Sequence, residues 1–242
     1  MQDWLDELKR QFILNFINDG RWRFLLNGLV VTLRITFFAL LIGIAIGVII
    51  AIVRSTYDKN ANKMRPGPGR VILGFFNVIC KIYLTVIRGT PVVVQLMIFY
   101  FIILVSIRSG ELIGIIAFGI NAGAYVAEIF RSGIMSVDNG QFEAGRSLGF
   151  NYIQTMRYIV IPQAFKNILP TLANEFIVLL KETAVVGYVA VQDLTKAGHI
   201  IGGRTFSWIM PLLAVALIYL ILVMFFTWLV GRLERRLRSS ER

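Results

Sequence analysis

The chain has one cysteine, Cys80, and one histidine, His199, among 242 residues. One thiol excludes an internal disulfide and a cysteine metal cluster, and one imidazole excludes a multi-histidine metal site. Charge is also scarce. Asp, Glu, Lys and Arg make up 16% of the sequence, where soluble domains carry about 25%. No Gly-x-x-x-x-Gly-Lys-Ser/Thr loop is present to cradle phosphates, so any ATP-driven work needs a separate polypeptide. No internal repeat is visible, which argues against the inverted-repeat plan of self-powered secondary transporters. The opening MQDWLDELKR mixes both signs and has no basic start followed by an apolar core, so a cleaved signal peptide is not expected.

What the chain does have is long apolar runs. It is 57% hydrophobic with a mean hydropathy of +0.71. Ile35–Val53 and Gly89–Ile107 each run 19 residues without a charge, and Thr205–Gly231 runs 27. About 20 such residues cross a bilayer as a helix. Leu112–Ser136 is apolar except for Glu128 and Arg131, and Thr171–Val191 except for Glu175, Lys181 and Glu182. The expected fold is therefore an all-α polytopic membrane protein with five spans, near 24–53, 88–107, 112–136, 171–191 and 208–231. Val71–Ile87 is also apolar but carries Lys81, and joined to the second span it is too long for one straight crossing. It is expected to lie along the inner interface or enter obliquely, ending at the turn Arg88-Gly89-Thr90-Pro91. Pro91 and Pro170 are each expected to begin a span, where a missing backbone donor costs little.

Basic residues orient the spans. The 54–70 loop carries Arg54, Lys59, Lys63, Arg65 and Arg70 against Asp58, and the end after Gly231 carries Arg232, Arg235, Arg236, Arg238 and Arg242. That excess places both in the cytoplasm and the N-terminus outside. The net charge of +11 is accounted for in this way, so no nucleic-acid partner is expected. Residues 1–23, with Trp4, Leu5, Phe12, Ile13, Phe16 and Ile17 at helical spacing, are expected to form an interfacial amphipathic segment on the lipid bilayer. The membrane domain is expected over 24–232, followed by a basic tail over 233–242. His199 and Arg204 fall in an outer 192–207 segment.

The cytoplasmic stretch QFEAGRSLGFNYIQTMRYIVIPQA interrupts this apolar pattern. Asp138 with Gln141, and Asn151 with Gln154, have capping-box spacing, so each begins a helix. The first is expected to end at Leu148 with Gly149 in the left-handed position. The second is expected to present Ile153, Met156 and Val160 on one apolar face and to stop at Pro162. Ala144 and Gly145 offer little bulk, so another protein is expected to approach the first helix there. A bulky residue at 145 is then expected to block coupling while the spans stay folded. Glu143 is expected in the first turn, where a carboxylate suits the helix dipole.

Glu143-Ala144-Gly145, Gly149, Ile159, Ile161 and Pro162 resemble the EAA motif of the membrane subunits of ATP-binding-cassette importers, with Gly145 for the second alanine and Ile161 for the leucine. Arg88-Gly89-Thr90-Pro91, Ala124–Arg131 and Asn174-Glu175-Phe176-Ile177 resemble the polar amino-acid branch. The resemblance covers roughly 24 to 232. It implies the type I importer transmembrane fold, with 138–162 as the region coupling to a cytoplasmic ATPase dimer. It also implies a second membrane subunit, identical or homologous, and an extracytoplasmic amino-acid-binding protein in a prokaryotic plasma (inner) membrane. No cofactor is expected in this chain, with ATP and Mg bound by the ATPase, and the chain is not expected to be an enzyme. The alternative is an ion-gradient-driven secondary amino-acid transporter.

Ionisable groups within spans normally face protein or water. Asn121, Tyr125, Glu128 and Ser132 form one stripe at about 100° per residue, and the small Ala122, Gly123 and Ala124 beside it permit close helix packing. Two readings stand for Glu128: a local ion pair with Arg131, or a pathway wall facing a substrate ammonium or guanidinium. Lys181 and Glu182 point about 100° apart and do not simply neutralise each other. Lys181 is expected either to pair with Glu128 or to hold a substrate carboxylate. Glu175, seven residues before Glu182, joins the pathway set.

Overall fold

The structure is a computed structural model and describes residues 2–60 and 67–239. It is helical almost throughout, and among the described residues no strand occurs. Helix α1 is Gln2–Phe12, α2 Trp22–Asn60, α3 Pro68–Gly89, α4 Val92–Ile98, α5 Gly110–Met135, α6 Asn139–Ser147, α7 Tyr152–Thr155, α8 Ile161–Glu182, α9 Leu194–Thr205 and α10 Ile209–Ser239. Among the described residues, four stretches are long and apolar enough to cross a membrane: Trp22–Lys59, Pro68–Gly89, Gly110–Met135 and Ile209–Leu237.

Two span assignments change. Pro68–Gly89 is a single 22-residue helix, long and apolar enough to cross a membrane although it carries Arg70, Lys81 and Arg88. The 88–107 run is not continuous. Thr90 is extended (φ −122°, ψ 146°) and Pro91 follows without a backbone donor, so the helix breaks before α4 and a π-turn at Phe99–Ile103. α4 with its π-turn, Val92–Ile103, is a shorter apolar helix below the length of a crossing.

At the fourth expected span, α8 starts at Ile161 and passes through Pro170, which therefore stands inside a helix and not at its start. The basic end is no separate tail either: α10 runs on to Ser239, and Arg242 lies outside the described residues, as do Lys63, Arg65 and Pro66. Pro68 and Gly69, read as loop, are the first residues of α3, with proline where its missing N–H is harmless.

The chain divides into two compact units. Unit one comprises residues 1–39, 92–118 and 177–229. Its core joins Phe16, Leu25, Leu194, Ala197, Ile201 and Val215. A methyl group at Gly28 would lie 2.6 Å from the Asp193 carbonyl oxygen, so glycine is required for α2 to meet the start of α9. There the Leu194 N–H donates to Thr32 Oγ1 at 3.1 Å. Asp193 is fully buried and caps α9 by accepting from Thr195 N and Lys196 N, each at 3.0 Å. Burial pushes its carboxyl up, and those backbone bonds pull it back.

Buried Asn15 anchors the N-terminal segment, donating to Ser207 Oγ and accepting from Thr205 Oγ1. Phe16 is buried with it, whereas Trp4, Leu5, Phe12, Ile13 and Ile17 are exposed.

Unit two comprises 40–91, 119–176 and 230–242. Here α2 meets α5 through small residues. A methyl at Gly43 would lie 2.9 Å from Ala122 Cβ, and one at Gly47 would lie 2.6 Å from Val126 Cγ1. The Tyr83 hydroxyl on α3 donates to the Ile120 carbonyl of α5, and Arg54 Nη1 donates to buried Asn77 Oδ1 at 3.2 Å.

Candidate functional site: a docked cytoplasmic hairpin

Helix α6 is short but specified at both ends. Asp138 caps it by accepting from Gly140 N at 2.6 Å. The capping box expected from Gln141 does not form. The Gln141 side-chain oxygen accepts instead from Gln163 Nε2 of α8 at 3.0 Å. At the other end Gly149 takes φ +80°, Gly149 N–H donates to Arg146 O at 2.9 Å and Phe150 N–H to Gly145 O at 3.0 Å. That pair of bonds is the Schellman closure, which needs a left-handed residue at 149. Asn151 then opens α7 with both halves of its capping box present.

Gly145 turns the opposite way from the expectation. It is buried, and a methyl group there would lie 2.7 Å from both Thr155 Cγ2 and Thr155 Oγ1. Its lack of bulk lets α6 settle on α7 within the chain and leaves no gap for a partner. Phe142 faces the same way, into a cluster with Ile134, Val137, Val160, Ala164 and Ile168. Glu143, Ala144, Ser147 and Leu148 form the exposed face, with Leu148 71% exposed.

The second helix also differs. It does not stop at Pro162. A π-turn over Met156–Val160 precedes it, and α8 continues from Ile161 to Glu182. The wider turn already displaces the i→i−4 ladder, so a residue without an N–H fits there. It also shifts the face expected for Ile153, Met156 and Val160. Val160 is fully buried, Met156 packs at the cluster's edge, and Ile153 is 74% exposed. Thr155 takes the inward position instead.

Residues 145–149 read Gly-Arg-Ser-Leu-Gly, the spelling of a hydrolase nucleophile elbow. That motif needs a strand-to-helix turn that exposes the serine. Ser147 lies within α6 and its Oγ donates to the Glu143 carbonyl at 3.1 Å.

Of the pathway candidates in unit two, Asn121 is buried. Glu128 is held by Arg131 in a two-point ion pair, Nη2–Oε1 2.6 Å and Nε–Oε2 3.1 Å. The local-pair reading is thus the observed one. Tyr125 lies under Arg88, whose guanidinium carbon is 5.6 Å from the ring centroid. Leu84, Thr85, Arg88, Gly89 and Tyr125 line an open groove of about 400 Å3. Glu175 is half-buried on α8.

In unit one, Lys181 is exposed and Glu182 is the last residue of α8. The α-helix ends there and passes into a 3-10 stretch, Thr183–Val189. Exposed His199 packs edge-on to Trp208 with centroids 5.7 Å apart, and Arg204 lies over Phe24. The sequence reading missed the Gly43/Gly47 notch and Asp193. Their signals, two glycines at i and i+4 and an acidic residue before LTKAG, were present in the sequence.

Long apolar helices with one short, capped helix docked after α5 make up a chain built for a membrane. Residues 68–239 match the family described as the binding-protein-dependent transport system inner membrane component, and the chain belongs to it. It is 36% identical over 222 residues to the arginine transport system permease protein ArtQ of Bacillus subtilis (strain 168), covering 90% of this chain and 94% of that protein. It is 36% identical over 217 residues to the putative glutamine transport system permease protein GlnP of Rickettsia typhi, covering 88% and 93%.

Among solved structures, an amino acid ABC transporter crystallised with histidines superposes with a TM-score of 0.78 at 39% identity, over 88% of this chain and 94% of that one. The MetNI methionine ABC transporter in an inward-facing conformation gives 0.75 at 20% identity, over 91% and 99%, a likeness of fold alone. The fold is the type I ABC importer transmembrane fold.

Proposed function

We propose that the chain is the permease subunit of an ATP-driven importer of polar amino acids in a prokaryotic plasma (inner) membrane. In this reading α6 seats on a separate cytoplasmic ATPase through Glu143, Ala144, Ser147 and Leu148. One observation carries it: α6 is capped at both ends and clamped from behind by Gly145, Phe142 and Gln141, so a push on its exposed face reaches α8 without first melting the helix. Gly149 and the π-turn before Pro162 set the angle of that clamp. The names of the relatives, arginine and glutamine permeases, support the substrate class. The working assembly pairs two membrane subunits with an ATPase dimer that binds ATP and Mg, and receives substrate from an extracytoplasmic binding protein. The N-terminus faces outward and the C-terminus the cytoplasm. In unit two, Tyr125 and the Glu128–Arg131 pair border the substrate path.

The test is Ala144→Trp in the complex reconstituted with its ATPase and binding protein. Ala144 is exposed, so the membrane part folds normally while ATPase co-purification and substrate-stimulated hydrolysis are lost, by roughly tenfold or more for a bulky residue at a packed interface centre. Unchanged stimulation in that variant overturns the docking assignment. Uptake by the chain alone, driven by an ion gradient, overturns the importer reading.

A further inference from the structure

Helix α2 is 39 residues long, about 58 Å at helical rise, whereas a bilayer's hydrocarbon core is about 30 Å. Its charge-free part ends at Val53, and the remaining turns carry Arg54, Asp58 and Lys59. Successive helical residues point about 100° apart, and the last two of these address different elements of unit two.

Asp58 Oδ2 lies 3.5 Å from Arg131 Nη1, and Arg131 in turn holds Glu128 on α5. Lys59 reaches α6. Its Nζ donates to Asn139 Oδ1 at 2.8 Å and sits 4.3 Å from the centroid of the Phe142 ring. Asn139 is the first residue of α6, and Phe142 is only 5% exposed, its ring packed into the hydrophobic cluster. The ammonium therefore lies over an aromatic face that is dry on its far side, where a cation–ring attraction is stronger than in water.

We infer that Lys59 is a positioning residue that carries displacement of α6 directly to α2, while Asp58 fixes the same helix end to α5 through Arg131. This rests on the reading that α6 meets the ATPase. The clamp at Gln141 and Gly145 transmits motion of α6 to α7 and α8. The Lys59 attachment adds α2, so one push moves two membrane helices together. Without it, hydrolysis proceeds while α2 lags and the path opens incompletely. Lysine suits the place: its long stem lets the ammonium reach the ring, and a cation at a helix C-terminus complements the dipole.

The experiment uses the whole complex, with ATPase and binding protein, in proteoliposomes, and reads amino acid transported per ATP hydrolysed. Lys59→Met keeps an unbranched side chain but removes the charge and the donor. The ATPase co-purifies at the wild-type ratio, and transport per ATP falls roughly fivefold, as loss of one cation–ring contact and one charged hydrogen bond allows.

Lys59→Arg, which retains both interactions, restores the ratio to within about twofold. Asn139→Ala lowers it in the same direction, and the Lys59→Met/Asn139→Ala double variant is no worse than Lys59→Met. A ratio unchanged in both single variants overturns the inference. So does a lowered unfolding midpoint with uptake and hydrolysis falling in proportion, because that is a structural defect alone. An ATPase that does not bind the wild-type chain overturns the docking reading as well, whereas an unaltered ratio in Lys59→Met leaves that reading standing.

Discussion

Gly145 and Ala144 are neighbours of nearly equal bulk with opposite duties. At 145 the smallness is used inward, where Thr155 leaves no room for a methyl group. At 144 it is used outward, on the face a partner meets. The two positions therefore fail differently. Gly145→Ala overpacks the α6–α7 contact and costs about 1–3 kcal/mol, read as a lower unfolding midpoint of the detergent-purified complex. Thr155→Ala removes both the Cγ2 and the Oγ1 that the new methyl meets, so the double variant recovers most of that loss. Additive losses in the double variant would contradict the contact as the cause. A tryptophan at 145 disturbs the hairpin itself and reports on folding before it reports on coupling.

At the scale of elements, the break at Thr90–Pro91 and the π-turn at Met156–Val160 set the chain's shape more than helix propensity does. The π-turn lets α8 include Pro162 and turns Thr155 toward Gly145. Deleting one residue within Met156–Val160 replaces the wide turn with an ordinary one and rotates α7 by about 100° relative to α8. Thr155 then leaves Gly145 and α6 loses its backing. The expected outcome is loss of ATPase co-purification with the membrane helices still folded, as judged by unchanged helical circular dichroism. Retained co-purification would show that α6 is held by its caps and by Lys59 without the hairpin.

For the whole molecule, burial separates the apolar helices by role. In Gly110–Met135, 61% of the apolar window is inside the chain, against 11% in Ile209–Leu237. The first is therefore packed by this chain's own helices, and the second presents most of its apolar surface outward. Orientation is directly testable because Cys80, the sole cysteine, is buried and replaceable. In a Cys80→Ser background, Ile153→Cys, exposed on α7 and outside the docking face, is labelled by a membrane-impermeant thiol reagent only after permeabilisation, and Gly203→Cys, which has open space around it, is labelled in intact cells. The reverse pattern contradicts the proposed topology and the cytoplasmic place of α6.

The sequence by itself determined the class. Charge-free runs near 20 residues admit one solvent, and the capping residues Asp138, Asn151 and Gly149 mark their helix ends through local backbone geometry that needs no distant partner. It also contained the Glu128–Arg131 pair, since residues three apart on a helix meet wherever the helix is placed. Tertiary structure decided which way Gly145 faces, that the Gln141 amide serves Gln163 in place of its own cap, that the helix passes through Pro162, and that Lys59 reaches Phe142 from 83 residues away. Each of these depends on what an element packs against. Hydrophobic periodicity assumes 3.6 residues per turn, so a single π-turn puts every facing read beyond it out of register.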